Sequence, residues 1–357
     1  MNEGKRIRFI DEMQFLALLG VFFWHSSLFF EDVPNPFFPE RAAALSGGAT
    51  LLGRFFNVTL IAAFVVASGF LFALSIDERD RSVPMLIWVR VRRIIIPYYI
   101  VGSIWLVPLY TFFDISAFGR PEHAGLAEGY KCMLLGQFSE NLWFLWMLFW
   151  VALFFILLKP LAKRRSLVLL FLLSLAAALA TDLFLTEVPY FKISQTGPYF
   201  LCFFLGILIY AFRSFPENLR TSTLALLTLL LFLTELIYVF GGFSHFAALY
   251  IFRPAGGLLF LLFCLTLERV DAIRKFTISK AFRYLSDRRM RYYLICVPYN
   301  YLIFRFLMGK TDRWPILSIL IIFVFSLAGV FCTAFVWEKM ETGVRSLWRR
   351  SRSEIHG

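Results

Sequence analysis

The sequence predicts an all-α integral membrane protein, a bundle of about ten transmembrane helices. Of its 357 residues, 59% are hydrophobic and only 17% are charged, and the mean hydropathy is +0.71. Soluble domains carry about a quarter charged residues. Apolar runs of roughly 20 residues recur along the chain, which is the length that a helix needs to cross a bilayer. These runs do not alternate apolar with polar residues, so they are helices and not barrel strands.

The apolar runs are separated by loops that contain Pro, Gly and charged residues. The ten predicted spans lie near 9–30, 50–76, 94–113, 141–158, 166–185, 197–212, 222–241, 244–267, 291–308 and 314–337. We assign 1–340 to one transmembrane domain and 341–357 to a basic cytoplasmic tail. No soluble domain is predicted on either face, so any chemistry takes place inside the bundle or at its two mouths.

The distribution of basic residues predicts the orientation. The N-terminus and every second loop together hold roughly four times as many Lys and Arg residues as the intervening loops, which by the positive-inside rule places both termini in the cytoplasm. The net charge is +12. Because the basic residues cluster between apolar runs, they favour contact with anionic membrane lipids and not with nucleic acid.

Ionisable residues inside membrane spans are costly and mark functional sites. In the first span, Gln14 and His25 are 11 residues apart, so they share one helix face and lie about 16 Å apart along the axis. His25 falls past the midplane toward the outer side. A lone membrane histidine is more often a packing residue than a catalyst, but imidazole is the side chain best suited to accept a proton near neutral pH.

Arg90, Arg92 and Arg93 precede IIIPYY at the cytoplasmic start of the third span. Such a cluster is either a topology anchor at lipid phosphates or a docking site for a phosphate-rich ligand, since arginine binds phosphate bidentately. Arg253, in YIFRPAGG, is a candidate for a polar cavity beside a Pro-Gly break. The sequence contains no metal-ligand cluster, Gly-rich phosphate loop or GxSxG motif, and we expect no permanently bound cofactor or metal.

Several short blocks occur in order along nearly the whole chain: Ile10–Gln14 with His25, Phe64–Leu71 (apolar-SGFL), Arg90–Arg93 with Pro97-Tyr98 (RxxR and Pro-Tyr), Asn141–Leu145 (LWFL), Phe203–Gly206, and Glu338-Lys339. In their order and spacing these blocks resemble the membrane-bound acyltransferase family 3. Members of this family are bacterial enzymes that O-acylate sugars of surface polysaccharides and glycolipids. The resemblance implies a multi-pass protein of the bacterial cytoplasmic membrane.

The resemblance also implies the chemistry. Acyl-coenzyme A, in the first place acetyl-CoA, is the expected donor, with its phosphates held by Arg90, Arg92 and Arg93. His25 is the expected general base, or transient acyl carrier, for a sugar hydroxyl of a polysaccharide or glycolipid acceptor. The remaining candidate substrate-binding residues are Gln14, Asn141, Trp143 and Arg253. Proteins of polysaccharide assembly are possible partners.

Two positions depart from the family pattern. Gln14 stands where the family usually has Arg, and Pro298 stands where many members have His. These departures leave open a second reading, a non-catalytic member that scaffolds polysaccharide assembly. A third reading, a transporter or flippase of lipid-linked sugars, fits the ten spans and Arg253 but does not explain the RxxR and LWFL blocks. Consumption of acyl-CoA distinguishes the enzyme from both alternatives.

Overall fold

The computed structural model describes residues 8–30, 48–113, 125–137, 142–213, 219–307 and 314–355, and within these ranges the regular structure is helical throughout. The helices, in chain order, are α1 Arg8–Ser27, α2 Gly48–Glu78, α3 Val83–Phe112, α4 Leu126–Leu134, α5 Trp143–Leu157, α6 Lys159–Lys163, α7 Leu167–Phe184, α8 Gly197–Ala211, α9 Thr221–Gly241, α10 Ala248–Leu267, α11 Asp271–Thr277, α12 Lys280–Asp287, α13 Arg289–Leu307 and α14 Pro315–Ile355.

Seven of the described helices are long and apolar enough to cross a membrane, namely α1, α2, α3, α7, α9, α10 and α14. The apolar helices α5 and α8 have 15 residues each, and the predicted span 291–308 coincides with α13. Each predicted span therefore overlaps a helix. A 15-residue helix is about 22 Å long, shorter than the roughly 30 Å hydrocarbon core. Ten crossings and cytoplasmic termini stay predictions.

Helix α2 lies at the centre of the bundle and packs against α1, α8 and α10. Its closest neighbour is α8, where two glycines face each other. A Cβ atom on Gly69 would lie 2.1 Å from the Phe203 carbonyl oxygen, and one on Gly206 would lie 2.1 Å from the Val66 carbonyl oxygen. Only glycine allows the two backbones this approach, as is common where membrane helices pack closely.

The outer ring of the bundle includes α7, α9 and α14, which bury only a small part of their apolar windows. Large side chains such as Phe184, Phe240 and Phe325 are more than half exposed. Apolar patches of this extent mark surfaces that a bilayer or a partner covers. They are the lipid-facing surface of a multi-pass membrane protein.

Ion pairs join those helix ends that the sequence predicts to lie on the cytoplasmic side, which we call the cytoplasmic end. The pairs are Arg8–Glu268, Arg289–Asp11, Arg165–Asp77, Lys159–Asp80, Lys163–Asp80, Arg288–Glu338 and Arg291–Glu341. Hydrogen bonds from Lys159 and then Lys163 hold the pKa of the Asp80 carboxyl below its usual range. These pairs gather the joined helix ends on one side of the bundle, and the opposite side is called the outer end below.

Helices α3 and α10 contain π turns, wider turns with one extra residue. The three turns are Val91–Ile95, Gly102–Leu106 and Ala248–Phe252, followed by Pro97, Pro108 and Pro254. In each case the proline comes two residues after the turn ends. Proline has no N–H to donate and its ring clashes with the carbonyl four residues earlier, so a widened turn accommodates it without breaking the helix.

Three boundaries differ from those predicted from the sequence. The third helix starts at Val83 and not near residue 94. Pro84 does not prevent this earlier start, since it occupies the first turn of the helix, where proline is tolerated. The loop predicted between α10 and α13 contains the amphipathic helices α11 and α12, the latter capped by the Ser279 hydroxyl. Helix α14 continues past residue 340 without a break.

Candidate active site

His25 lies in the last turn of α1, near the outer end. Its ring stacks on the adjacent indole of Trp24, with centroids 5.6 Å apart and an interplanar angle of 23°. The imidazole is partly buried, and its Nδ1 atom is buried without a hydrogen-bond partner among the described residues. The Nε1 atom of Trp24 is in the same state. Buried polar atoms are nearly always paired. These two nitrogens are therefore available for hydrogen bonds to a bound ligand.

The turn of α1 that carries His25 is held by α13. The Asn300 side-chain amide donates to the Phe22 carbonyl at 3.2 Å and to the Ser26 hydroxyl at 2.9 Å, and Asn300 is fully buried. On another face of the same turn, Phe23 packs edge-on against Phe323 of α14. The outer end of α1 is therefore fixed between two helices, which fixes the height and direction of His25.

Gln14 lies deep in the bundle, 7% exposed, and its Oε1 atom has no partner among the described residues. Being three turns away from His25 on the same helix, it cannot contact the imidazole. The structure thus places Gln14 as an unpaired polar group between the two ends of α1, where it can donate and accept hydrogen bonds but supplies no charge.

The three arginines of the RxxR block lie where α3 widens. Arg90 ends the first α-helical part of α3, and Arg92 and Arg93 fall within the π turn that Pro97 imposes. Arg92 and Arg93 are exposed, whereas Arg90 is partly buried and lies close enough to Arg93 for their charges to repel. π turns occur frequently at functional sites, because they shift the face on which side chains emerge.

None of these three arginines has a carboxylate partner among the described residues. The contrast with other partly buried cations at the same end is clear. Lys159 contacts Asp80 at 3.0 Å, Arg289 contacts Asp11 at 3.3 Å, and Arg288 is paired with Glu338. Burial of a guanidinium without an anion is unfavourable, so Arg90 in particular is placed to bind an anionic ligand.

A cavity of about 360 Å³ lies between α3, α13 and α14. Its walls are mainly apolar, and charged groups lie at its cytoplasmic mouth, where Arg291 donates to Glu341 at 2.9 Å. Pro97 lines the cavity one turn deeper in α3 than Arg93. The described residues that line this cavity include neither His25 nor any of the three arginines, so the cavity by itself does not connect the arginines with the imidazole.

Trp143 and Arg253 come together at the outer end, although they are far apart in the sequence. The Tyr199 ring joins them: its centroid lies 5.8 Å from that of Trp143 and 4.8 Å from the guanidinium carbon of Arg253. The Arg253 Nη2 atom donates to the Asn57 side-chain oxygen at 2.8 Å. We call Asn57, Trp143, Tyr199 and Arg253 the outer cluster. Asn141 lies outside the described residues.

The sequence analysis did not identify Tyr199 and Asn57. A tyrosine at the start of an apolar helix is common at a membrane interface, and Asn57 stands in an otherwise apolar run. The available signal was Asn57 itself, since an amide inside a span is rare and needs a partner.

Comparison with known protein families matches residues 7–335 to the acyltransferase domain of acyltransferase family 3. The chain belongs to acyltransferase family 3. The match includes His25, the three arginines and the outer cluster, and it ends within α14. Together with the apolar helices, membership of this family describes a multi-pass membrane acyltransferase. Neither a curated protein nor a solved structure matches the chain.

Proposed function

We propose that this family 3 member transfers an acyl group, in the first place acetyl, from acyl-CoA to a sugar hydroxyl of a surface polysaccharide or a lipid-linked sugar. We place it in the bacterial inner membrane, with the donor entering from the cytoplasm. The observation that carries the proposal is the partly buried Arg90, which has no carboxylate partner among the described residues, with Arg92 and Arg93 beside it in α3, one turn before the Pro97 that lines an apolar cavity.

The donor fits this arrangement by its shape and charge. Coenzyme A carries a phosphate-rich nucleotide at one end and a slender arm with the thioester at the other. Arginine binds phosphate oxygens through paired N–H donors, at up to twice the strength of neutral hydrogen bonds. If the phosphates bind the arginines, the arm needs to extend about one helical turn further along α3 to reach Pro97, which lines the cavity.

His25 supplies the base in this proposal. A neutral imidazole nitrogen accepts the proton of the acceptor hydroxyl as its oxygen attacks the thioester carbonyl carbon. The carbon–sulfur bond then breaks, and the proton passes from the imidazolium to the departing thiolate. The unpaired Nδ1 atom and the fixed turn of α1 support this role. The outer position of His25 favours an acceptor that arrives from the outer side.

The test uses the full chain in lipid nanodiscs and measures thiol release from acetyl-CoA with and without extracted surface glycan. His25→Ala is expected to abolish glycan-dependent release, whereas Ser27→Ala, a neighbouring change that removes only a bond to the Trp24 carbonyl, keeps it. Full activity of His25→Ala refutes the base role. No release by the wild-type protein, with CoA still bound, favours the non-catalytic reading.

A second measurement tests the donor site. Arg90→Gln and Arg93→Gln are each expected to weaken CoA binding about tenfold or more, the value of one lost charge-assisted contact. Arg283→Gln is the matched control, because it removes the same charge from an exposed site at the same end. An equal effect of all three changes would show that general surface charge, and not a donor site, attracts the nucleotide.

A further inference from the structure

The outer cluster presents hydrogen-bond donors and a positive charge, with few acceptors to match. The guanidinium of Arg253 has only donors, and its Nε atom is buried without a partner among the described residues. The Asn57 oxygen is occupied by Arg253, which leaves the amide hydrogens of Asn57 as donors. The Trp143 indole is a donor only, and its N–H has no partner in the described part of the chain.

Tyr199 adds a polar group to the same place. The residue is 2% exposed, and its hydroxyl makes no hydrogen bond to another described residue. Four side chains from four helices, α2, α5, α8 and α10, therefore converge with free N–H or O–H groups. A tyrosine hydroxyl can donate or accept, so it matches whatever the neighbouring donors bind.

The charge of Arg253 is not compensated by a carboxylate among the described residues. What stabilises it is the face of the Tyr199 ring and the neutral side-chain amide of Asn57, neither of which carries a negative charge. A cation in a membrane span is costly without a counter-charge or water. The exposed side chain of Asn57 shows that the cluster is open on one side, so a ligand can reach it.

We propose that the outer cluster binds an oxyanion carried by the acceptor, so that the acceptor is an acidic sugar or a sugar phosphate. A neutral sugar offers hydroxyls that both donate and accept, and it is bound best by a site with carboxylates as well as donors. Carboxylate and phosphate are acceptors only, which matches a set of donors around a guanidinium. The partly exposed face of Trp143 packs against the sugar ring, while the buried Tyr199 ring holds Arg253 in place. This inference rests on the proposed acyl transfer for its biological role.

The test compares three probes on the full chain in nanodiscs of zwitterionic lipid: glucuronic acid, glucose 1-phosphate and glucose. At least one anionic probe is expected to bind about tenfold or more tightly than glucose, a difference of about 1.4 kcal/mol. The preferred anion assigns carboxylate or phosphate chemistry. Equal binding of all three probes overturns the inference, whatever the state of the variants.

Variants locate the effect. Arg253→Gln is expected to reduce the binding of the anionic probe to that of glucose, and Arg253→Lys to retain part of the preference, because charge persists without the planar fork. Arg305→Gln is the control: this exposed arginine contacts the Phe113 carbonyl near the same end of the bundle. Loss of the preference in Arg305→Gln as much as in Arg253→Gln overturns the assignment to the outer cluster.

A lipid headgroup could supply the same chemistry, and a further arm identifies it. In nanodiscs of phosphatidylglycerol, a lipid phosphate can compete for the outer cluster. If the wild-type protein no longer prefers the anionic probe over glucose there, the lipid phosphate is the occupant of the site. That result overturns the assignment to the acceptor. CoA binding and His25-dependent thiol release are measured on the same samples. If an anionic probe binds selectively but no thiol is released, the proposed acyl transfer is contradicted and the anion site is supported. If thiol is released but the three probes bind equally, the anion site is contradicted and the proposed acyl transfer is supported.

Discussion

The contact between Gly69 and Gly206 allows a sharp test of how α2 and α8 are packed. In Gly69→Ala the new methyl carbon would lie 2.1 Å from the Phe203 carbonyl oxygen, whereas ordinary contacts begin near 3.4 Å. The nearest atoms all belong to the backbone of α8, so no side chain can rotate away. The two helices must therefore separate by about 1.3 Å, which disturbs the packing on both sides of the central helix.

The magnitude follows from two opposing terms. Overpacking of this kind costs about 1–3 kcal/mol, and the backbone clash places Gly69→Ala at the upper end. Alanine regains up to about 1 kcal/mol over glycine in a helix interior. The net loss in free energy of unfolding is about 2 kcal/mol, roughly a thirtyfold change in the unfolding equilibrium. We expect the double variant with Gly206→Ala to lose less than the sum, because both methyls act on one contact.

Unfolding by sodium dodecyl sulfate in mixed micelles, followed by tryptophan fluorescence, measures this loss. Gly343→Ala is the matched control, since it is the same change within a helix and a Cβ atom there meets nothing within 4 Å. The control is expected to unfold at the same or a higher detergent fraction. If Gly69→Ala and Gly343→Ala unfold alike, the α2–α8 backbones are not as close as described, and the argument is wrong.

Three further predictions concern contacts between helices. Asn300→Ala removes two hydrogen bonds to α1 and is expected to lower the free energy of unfolding in the same assay by about 1 kcal/mol. An unchanged free energy of unfolding would show that these bonds do not stabilise the bundle. Glu338→Gln breaks the two-point contact with Arg288, and we expect a loss below about 1 kcal/mol that shrinks between 0.05 and 1 M salt; a salt-independent loss contradicts an electrostatic origin. Asp80 has a lowered pKa because Lys159 and Lys163 bind its charged form, so its contribution is present above the ordinary carboxyl pKa near 4 and is lost as the pH falls through the lowered value. Hydrogen exchange of the α2–α3 connection is therefore expected to be faster in Asp80→Asn than in the wild type at pH 7. The difference is expected to shrink as the pH falls below the ordinary carboxyl pKa, and a difference that does not depend on pH refutes this cause.

The sequence predicted the positions of the helices well because the signal is local. The span predicted at 222–241 is the helix Thr221–Gly241, and the span predicted at 197–212 is Gly197–Ala211. In both, a long apolar run ends at polar or glycine residues, which is enough to define a membrane helix. The 83–93 part of α3 was missed because its arginines interrupt the apolar run, although nothing in its backbone prevents a helix.

Contacts between helices were not predictable in the same way. Helices that are apolar on all sides carry no amphipathic pattern to indicate which face meets which neighbour. Trp143 was a candidate from the family resemblance and Arg253 from its residue type, but their connection through Tyr199 depends on how three separate helices pack. The π turns before Pro97, Pro108 and Pro254 were not predicted, and the direction that one of them gives to Arg92 and Arg93 depends on the fold of α3.

Helix α14 has a consequence for how the protein meets its surroundings. It contains 41 residues in one continuous helix, about 60 Å of length, against a hydrocarbon core of roughly 30 Å. Even at a steep tilt, several turns must extend beyond the lipid at the end of the bundle where Arg90, Arg92 and Arg93 lie. A donor molecule or a partner protein that approaches this end of the protein therefore meets a helix that projects from the membrane. A fluorophore attached near residue 355 would report on that approach from a fixed distance.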